Sequence, residues 1–480
     1  MSVDTNLQFP AHALLHEPKL LFHPERDETH PHPLEGLIEF GPYSRSLLKT
    51  VIDPIRVAVV APHGEIGAVR RLIGELEQVH QPRERRAYLV TFPGFTKVFR
   101  VKVALASDNA LVELPAKFDD DLKASAARYV YLAEALSRVL RDLSAIRHEF
   151  DVVAIYLPNR WSAGFYGGED SDFDLHDYLK AVMATRSLPT QILREDSALR
   201  YSCRCSVAWR LSIALYCKSG GVPWKMANAE PDTAYVGLSY AMREHAQTNR
   251  FVTCCSQVFD AEGSGLEFVA YETDDVRVER DNPFLSRNEM RRVMTRTLSL
   301  YQRRHAGAAP RKIVVHKSTE FKHEEIEGCF EALAACESID LIQVQQDVAW
   351  RGVLINQPKF FGLKKGDPSG YPINRGTAVL LDGRSALVWT QGNAPAAVGG
   401  KDFYKEGKGI PMPLLLHRFA GHGAWAPSCS AVLALSKMNW NNDSLYDRLP
   451  VTMAYAQVLA RVVKRMPELR PQTYQFRFFM

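Results

Sequence analysis

Strand-length apolar segments alternate with helical segments between residues 51 and 222, and this alternation limits the possible folds more than any other feature of the sequence. Ile55 to Ala61 (IRVAVVA) and Asp151 to Leu157 (DVVAIYL) are almost entirely apolar, whereas Ala126 to Ile146 has apolar residues at helical spacing. Lys97 to Ala104 is also predicted to be a strand. Buried strands that are joined by helices are typical of parallel sheets. We therefore predict a Rossmann-like α/β unit over residues 51–222.

The segments after Pro223-Trp224 follow a different order, so we predict a domain boundary there. Strand patterns come first, at Tyr235 to Tyr240 and Leu266 to Tyr271, and helices then alternate with strands. This order suits an RNase H-like fold over residues 223–480. Residues 1–50 are rich in proline and histidine, and we expect an irregular segment that packs on the first unit.

The composition is that of an ordinary globular protein and excludes few functions. A net charge of +4, from 59 basic and 55 acidic residues, neither requires nor excludes nucleic acid, so any affinity for it must come from local clusters. The eight cysteines form no CxxC pair, no secretory leader is recognisable, and no apolar run approaches about 18 residues. We expect a reduced, cytoplasmic protein without a membrane span.

Four polar residues have the spacing of a site for a terminal phosphate. Asp174 is a suitable N-cap for a helix that carries His176 and Lys180 four residues apart on one face. Gln191 begins a strand after a break, and Lys218 ends the next helix. A doubly charged phosphate needs donors from several elements, and lysine is a good point-charge donor. Each residue alone also has an ordinary explanation, as a solvated lysine, a partly buried histidine or a lysine that serves its helix terminus.

We expect these four residues at the carboxyl edge of the predicted parallel sheet, where ligands bind in such folds. The set resembles the MID domain of Argonaute proteins, in which a histidine or aromatic residue, a lysine, a glutamine and a second lysine hold the 5′-phosphate of a guide strand. The resemblance assigns that role to His176, Lys180, Gln191 and Lys218. Many relatives have a further lysine where this sequence has Ala214, so the pocket is expected to carry less positive charge.

Two further segments extend the resemblance. Gly220 to Trp224 (GGVPW) is similar to the junction between the MID and PIWI domains of prokaryotic Argonautes, and Leu435 to Thr452 (LSKMNWNNDSLYDRLPVT) is similar to a motif of their PIWI domains. PIWI domains have the RNase H-like fold. Over about residues 150–480 the chain resembles a short prokaryotic Argonaute. This implies a MID domain at 51–222 and a PIWI domain at 223–480, without room for N-terminal and PAZ domains.

PIWI domains that cut nucleic acid hold two divalent ions with carboxylates. Where active relatives have these ligands, this sequence has Ser239, Lys317 and Gln457. Two neutral side chains and an ammonium group cannot hold a pair of cations, so we expect a catalytically inactive chain. The alternative is a guide-directed endonuclease whose metal site is rebuilt from other carboxylates, such as Asp260, Glu262 or Glu267.

The resemblance also implies a metal ion at the pocket. In prokaryotic relatives the terminal carboxylate shares a divalent ion with the guide phosphate, so Mg²⁺ is implied here with Met480 and Gln191 as its ligands. Lys437 lies in the PIWI motif and is expected to contact the guide backbone. Arg287 and Arg291 begin a basic stripe that predicts further phosphate contacts, although a solvated helix face explains the stripe equally well.

Short Argonautes of this type pair with a separate protein that carries an APAZ region fused to an effector, which is a TIR, sirtuin-like or nuclease domain. The resemblance therefore implies a guide RNA, invading single-stranded DNA as the target, and an effector, commonly NAD-consuming, that is activated by pairing. It implies a heterodimer of prokaryotic defence, with further oligomerisation on target binding left open. A binding module that works without an effector is a third alternative.

Overall fold

The structure is a computed structural model that describes residues 12–46, 51–83, 89–168, 171–227, 230, 232–245, 248–258, 267–273, 275–280, 282–355, 368–398, 401–403, 409–466 and 473–480. Within these residues, a parallel sheet and a larger mixed sheet form the centres of two units. Each sheet is covered by helices on both faces. Asp260, Glu262 and the side chain of Glu267 lie outside the described part of the chain.

An N-terminal segment contacts both units. It contains β1 (His12–Leu14), β2 (Leu20–Leu21), β3 (Thr29–His30) and α1 (Pro33–Phe40). His32 caps α1, because its Nδ1 accepts hydrogen bonds from the amides of Leu34 and Glu35. Near the end of the segment, the amide of Ser44 donates to the carbonyl oxygen of Val222, which anchors it beside the junction between the units.

The first unit confirms the predicted Rossmann-like fold. Its sheet has the order β5-β4-β7-β8, with β6 also beside β4, and every pair is parallel. Helices follow the strands and pack on both faces, so alternate residues of the central strand β4 enter two separate cores. The elements are β4 (Ile55–Ala61), α2 (Ile66–Glu75), α3 (Phe95–Phe99), β5 (Val103–Leu105), β6 (Leu111–Glu113), α4 (Phe118–Ala124), α5 (Arg128–Ala145), β7 (Val152–Leu157), α6 (Leu175–Ala184), β8 (Thr190–Arg194) and α7 (Arg204–Lys218).

The strand predicted at Lys97 to Ala104 is wrong over its first half. Residues Phe95–Phe99 form α3, which starts after Gly94 at a φ of 113°, and only Val103–Leu105 is a strand. The side chains of Phe95, Val98 and Phe99 are buried at helical spacing. This burial stabilises the short helix over the extended form that its β-branched and aromatic residues favour.

The second unit contains a mixed sheet with the order β1-β19-β20-β23-β16-β15-β10-β11-β12-β24. Strands β10, β15 and β16 are parallel to one another, and the neighbouring pairs are antiparallel. Its elements are β9 (Lys225–Met226), β10 (Thr233–His245), β11 (Thr248–Val258), β12 (Glu267–Thr273), β13 (Val276–Glu279), β14 (Asn282–Leu285), α8 (Arg287–Arg304), β15 (Lys312–Lys317), α9 (His323–Ala332), β16 (Ser338–Gln345), β17 (Val353–Ile355), β18 (Pro368–Pro372), β19 (Thr377–Leu380), β20 (Ser385–Val388), β21 (Ala394–Val398), β22 (Lys401–Phe403), β23 (Leu414–Ala420), α10 (Trp425–Leu435), α11 (Val451–Val463) and β24 (Thr473–Gln475).

The two faces of the second sheet carry different helices. Val236 and Leu238 of β10 pack in one core with residues of α8 and α9. Tyr235, on the same strand, lies in the other core with residues of α10 and α11. This arrangement agrees with the RNase H-like fold predicted for the second unit.

The units meet along α6, α7 and α11. Ser206 of α7 donates to the carboxylate of Asp443 at 2.5 Å, and the indole of Trp224 donates to the carbonyl oxygen of Lys437 at 3.0 Å. The end of the chain packs between α6 and α7, where Phe479 and Met480 are buried. Among the described helices, none is long and apolar enough to cross a membrane.

Candidate functional site

Helix α6 carries the first half of the predicted pocket. Its N-cap is Asp174, as predicted, and the Asp174 carboxylate accepts a hydrogen bond from the amide of Asp177 at 3.1 Å. The Lys180 side chain is 1% exposed. Its ammonium group donates to the carbonyl oxygen of Thr190 at 2.5 Å and to the main-chain oxygen of Met480. Lys180 is therefore buried where α6, β8 and the end of the chain meet.

The second half of the pocket comes from β8 and α7. Lys218, the last residue of α7, is 1% exposed and donates to Oε1 of Gln191. The Gln191 amide nitrogen donates to the carbonyl oxygen of Ile192 at 3.1 Å, which fixes the orientation of the side chain. One turn before Lys218, the buried Ala214 adds no charge. The structure thus brings Lys180, Gln191 and Lys218 together from three elements.

The two buried lysines differ in their counter-charge. Lys218 donates to the neutral amide oxygen of Gln191, whereas Lys180 donates to the main-chain oxygen of Met480, the expected terminal carboxylate. Burial lowers the pKa of Lys180 to about 8, although the charge of Asp177 acts in the opposite direction. Burial and the neighbouring Lys180 charge hold the pKa of Lys218 well below 10.5. A buried ammonium group is costly unless an anion pairs with it. An anion that contacts both groups would remove this cost.

His176 lies on α6, four residues before Lys180. Its side chain is 52% exposed, and its Nδ1 lies 3.1 Å from Oδ1 of Asp177. Asp174, His176 and Asp177 form the one group of potential metal ligands found in the described residues, with ligand atoms within 4.8 Å of one another. Asp174 and Asp177 are already engaged in the helix cap and in contacts with His176 and Arg465. The group therefore acts as part of the local structure.

The expected position of the pocket on the sheet is wrong. Thr190 and Gln191 are the first two residues of β8, so these contacts lie at the amino end of that strand. Helix α7 follows β8 and ends at Lys218, which returns the chain to the same edge. The carboxyl-edge rule describes ligands held by strand-to-helix loops. This pocket instead uses the start of a strand, the side of one helix and the end of another.

The oxygens expected to bind Mg²⁺ are both hydrogen-bonded by lysines. Oε1 of Gln191 accepts from Lys218, and the main-chain oxygen of Met480 accepts from Lys180. Such oxygens are of the type that Mg²⁺ prefers, but two adjacent ammonium groups repel a cation. These residues fit the ion only when a phosphate enters with it and supplies the negative charge.

Position 317 of the second unit holds a buried ion pair. The Lys317 ammonium lies 2.6 and 2.7 Å from the two carboxylate oxygens of Glu325, and neither side chain is exposed. It lies 4.8 Å from the centre of the Phe284 ring. The preceding His316 contacts Thr452 of α11 at 2.9 Å. Since successive strand residues point to opposite faces, Lys317 points away from α11 and towards α9.

The other two positions where the resemblance to active PIWI domains expects metal ligands, Ser239 and Gln457, are polar and uncharged. Ser239 lies on β10, two residues after Gly237, which pairs with His316. Gln457 lies on α11 and is exposed. No group of three or more potential metal ligands occurs near Ser239, Lys317 or Gln457 in the described ranges.

Lys437 does not occupy the position expected for a guide contact. Its side chain is fully buried, and its ammonium group lies 2.7 Å from both the Glu17 carboxylate and the carbonyl oxygen of Pro18. Arg375, which is also fully buried, pairs with the same carboxylate at 2.9 Å. Lys437 therefore holds the N-terminal segment against the second unit.

Two arginines of the predicted basic stripe are exposed but paired with acidic residues. Arg287 contacts Glu331 and lies 3.6 Å from Glu327, while Arg291 lies 4.0 Å from Glu331. Both acids lie on α9, so packing of α9 beside α8 offsets part of the stripe's charge. Contacts of these arginines with phosphates stay a prediction.

The chain thus has a doubly wound α/β unit followed by an RNase H-like unit, and two buried lysines of the first unit lie beside the end of the chain. No protein-family model matches the sequence, and no curated protein matches it by sequence. The fold is similar to Clostridium butyricum Argonaute bound to a guide DNA and a 19-mer target DNA, with a TM-score of 0.65 and 14% identity over 100% of this chain and 56% of that one.

Two further solved structures show the same likeness. Aquifex aeolicus Argonaute gives a TM-score of 0.58 at 15% identity, over 97% of this chain and 57% of that one. Drosophila Piwi gives 0.60 at 14% identity, over 97% and 56%. The chain therefore has the fold of the MID and PIWI domains of Argonaute proteins, and it spans little more than half the length of these structures.

Proposed function

We propose that this chain anchors the 5′-phosphate of a guide strand and presents the guide for pairing with a target. The observation that carries the proposal is the pair of buried lysines, Lys180 and Lys218, whose acceptors include the neutral oxygens of Thr190 and Gln191. A terminal phosphate carries nearly two negative charges at neutral pH. It would therefore match two ammonium groups, and Gln191 and His176 would supply further hydrogen bonds.

Base pairing, and not the protein, would read the sequence of the target. The proposed pocket fixes only the first phosphate, so the guide bases stay available. This division of roles requires no base-specific side chains, and the mild net charge of +4 is sufficient because the cations are concentrated locally. We propose RNA as the guide and invading single-stranded DNA as the target, from the resemblance of the sequence to short prokaryotic Argonautes.

The proposed module does not cut its target. Lys317 pairs with Glu325 on the face of the sheet away from α11, so it does not line a site with Gln457, and Ser239 and Gln457 offer only neutral oxygens. Two-metal hydrolysis requires several carboxylates around a pair of ions. Cleavage of a fully matched target by the purified chain in Mg²⁺ or Mn²⁺ would contradict this part of the proposal and favour the rebuilt endonuclease.

The output of recognition would then come from a second protein. We propose an APAZ-containing effector in a cytoplasmic heterodimer, with target pairing as the signal that activates it, commonly to deplete NAD. The support for this partner is the resemblance of the sequence to short prokaryotic Argonautes, which pair with such proteins. Co-purification with an APAZ protein, and NAD loss only when guide and matched target are both present, would support it.

The central test is the dependence of binding on the guide's 5′ end. Affinity is measured for an RNA oligonucleotide in two forms, one with a 5′-phosphate and one with a 5′-hydroxyl. The DNA oligonucleotide of the same sequence is measured in the same two forms. We expect the phosphate to increase affinity by roughly ten- to a hundredfold, because charge-assisted hydrogen bonds contribute about 1.5–3 kcal/mol each. Equal affinity for both ends would refute the proposal. The RNA-to-DNA ratio independently tests the identity of the guide.

A further inference from the structure

Asp177 follows His176 on α6 and contacts a residue of the second unit. It is not among the proposed phosphate contacts. It is 8% exposed. Its Oδ1 lies 3.1 Å from Nδ1 of His176, and its Oδ2 lies 3.9 Å from a terminal nitrogen of Arg465, just beyond α11. Its own amide is held by the Asp174 cap at 3.1 Å. The carboxylate is therefore fixed between His176 and the second unit.

The contact between Asp177 and His176 determines what the histidine can offer a ligand. A carboxylate beside Nδ1 favours the ring form with a proton on that nitrogen, since the N–H can donate to it. In that neutral form Nε2 has no proton and can only accept a hydrogen bond, so it cannot donate to a phosphate. When the ring is protonated, Nε2 becomes a donor and the carboxylate stabilises the positive charge. Metal-bound histidines are oriented by carboxylates in the same way.

We infer that Asp177 is a positioning residue for the phosphate site. It holds the His176 ring with Nδ1 towards α6 and Nε2 towards the phosphate, and it ties this arrangement to Arg465. The inference rests on the proposed function. It adds a residue that acts through His176 and does not itself touch the guide.

If Asp177 positions His176, its removal should weaken phosphate binding. If Asp177 acts only through its charge, its removal should have the opposite effect. A carboxylate near a bound phosphate repels it, so its removal should tighten binding if Asp177 acts only as a charge. The other charged groups that face this corner are Lys180 and Lys218 from the pocket, Asp174 from the helix cap, and Arg461 and Arg465 from the side of α11. None of these groups is altered by Asp177→Asn. A fall in phosphate affinity therefore indicates a positioning role, and a rise indicates simple charge repulsion.

The test compares Asp177→Asn with Asp172→Asn, a matched loss of one carboxylate nearby. Asp172 is 65% exposed, pairs with Lys464 and lies 3.9 Å from Arg465, so its replacement removes a carboxylate beside the same arginine. The measured quantity is the affinity ratio between 5′-phosphate and 5′-hydroxyl RNA. We expect Asp177→Asn to lower the ratio by about three- to tenfold, the effect of one hydrogen bond, and Asp172→Asn to leave it unchanged or raise it. A raised ratio for Asp177→Asn overturns the inference.

A double-mutant cycle tests whether Asp177 acts through His176. In a His176→Gln background, Asp177→Asn should lower the ratio no further, whereas additive losses would show independent roles. If Asp177→Asn does not fold, the ¹⁵N chemical shifts of the His176 ring in the wild-type protein decide the question. With 5′-phosphorylated RNA bound, a ring protonated on both nitrogens supports the inference, and a ring with either nitrogen bare overturns it. Equal binding of both RNAs by the wild-type protein would instead refute the proposed function.

Discussion

The Lys317 ammonium lies 2.6 Å from the Glu325 carboxylate, and neither side chain is exposed to solvent. Glu325 also accepts hydrogen bonds from the amides of Leu285 and Lys322, at 3.1 and 3.0 Å. These contacts satisfy both carboxylate oxygens. Lys317 occupies a position where the resemblance to active PIWI domains expects a metal ligand. In this structure it is part of the packing between β15 and α9.

Breaking this ion pair should destabilise the fold. Glu325→Gln leaves the Lys317 ammonium buried without a counter-ion, so we expect the free energy of unfolding to fall by about 3–5 kcal/mol. The double variant Lys317→Met/Glu325→Gln also removes the unpaired ammonium group. It should recover most of the free energy of unfolding that Glu325→Gln loses. Denaturant unfolding of the three proteins measures both effects. A Glu325→Gln variant as stable as the wild type would contradict the prediction.

Replacing the pocket lysines should have the opposite effect on stability. Lys218→Met removes a buried ammonium group whose acceptor is the neutral Gln191 amide, so stability of the guide-free protein should stay unchanged or rise. Lys180→Met also removes the donor to the main-chain oxygen of Met480 and should gain less. Each variant should nevertheless lose roughly ten- to a hundredfold in affinity for 5′-phosphorylated RNA, while affinity for 5′-hydroxyl RNA stays the same. Thermal unfolding and binding titrations measure the two quantities. Lower stability without a loss of affinity would show a purely structural role.

The resemblance to a known motif indicated Lys180, Gln191 and Lys218, which the structure brings together, and the local helix pattern supported part of this prediction. Asp174 is a recognisable cap, and His176 and Lys180 share a helix face. The location of these residues at the amino end of β8 was not predicted. It depends on where α6 and α7 end relative to the sheet, which the sequence pattern does not show. The roles of Asp177 and Arg465 were missed for a similar reason, because they meet across two units.

Two other errors also have physical causes. Lys437 belongs to a recognisable motif, but its counter-ion, Glu17, lies 420 residues away in the sequence, so no local pattern could indicate that the side chain is buried. In α3, Phe95 and Val98 favour a strand by composition, and only tertiary packing of their side chains makes the helix more stable. The parallel sheet was predictable because β4 and β7 are apolar on both faces.

The pocket lysines should make stability depend on pH in the alkaline range. In the fold, the pKa of Lys180 is about 8, below its ordinary 10.5, because of burial. Between these values the unfolded chain binds more protons than the folded one, so the free energy of unfolding should rise as pH increases from about 8 to about 10.5. The rise is about 1.4 kcal/mol for each unit of pKa difference. Affinity for a 5′-phosphate should fall over the same range, since the ammonium charge is lost.

The variant Lys180→Met/Lys218→Met provides the control for this titration. Lys437 also has a pKa of about 8 through burial, so part of the pH dependence arises outside the pocket. The difference in unfolding free energy between wild type and variant isolates the pocket's share. A difference that stays constant between pH 7 and 10.5 would mean that the pocket lysines do not titrate in this range.

The end of the chain offers a test of the proposed Mg²⁺ ion. The main-chain oxygen of Met480 accepts a hydrogen bond from Lys180, and Met480 is 4% exposed. Adding four residues after Met480 replaces its terminal carboxylate by an amide.

If Mg²⁺ bridges the carboxylate and the guide phosphate, the extension should weaken binding of 5′-phosphorylated RNA in Mg²⁺. In a chelator it should not weaken binding, because the lost carboxylate would otherwise repel the phosphate. The same four residues added before Met1 serve as the control. An extension that has the same effect with Mg²⁺ and with chelator would exclude the bridging ion.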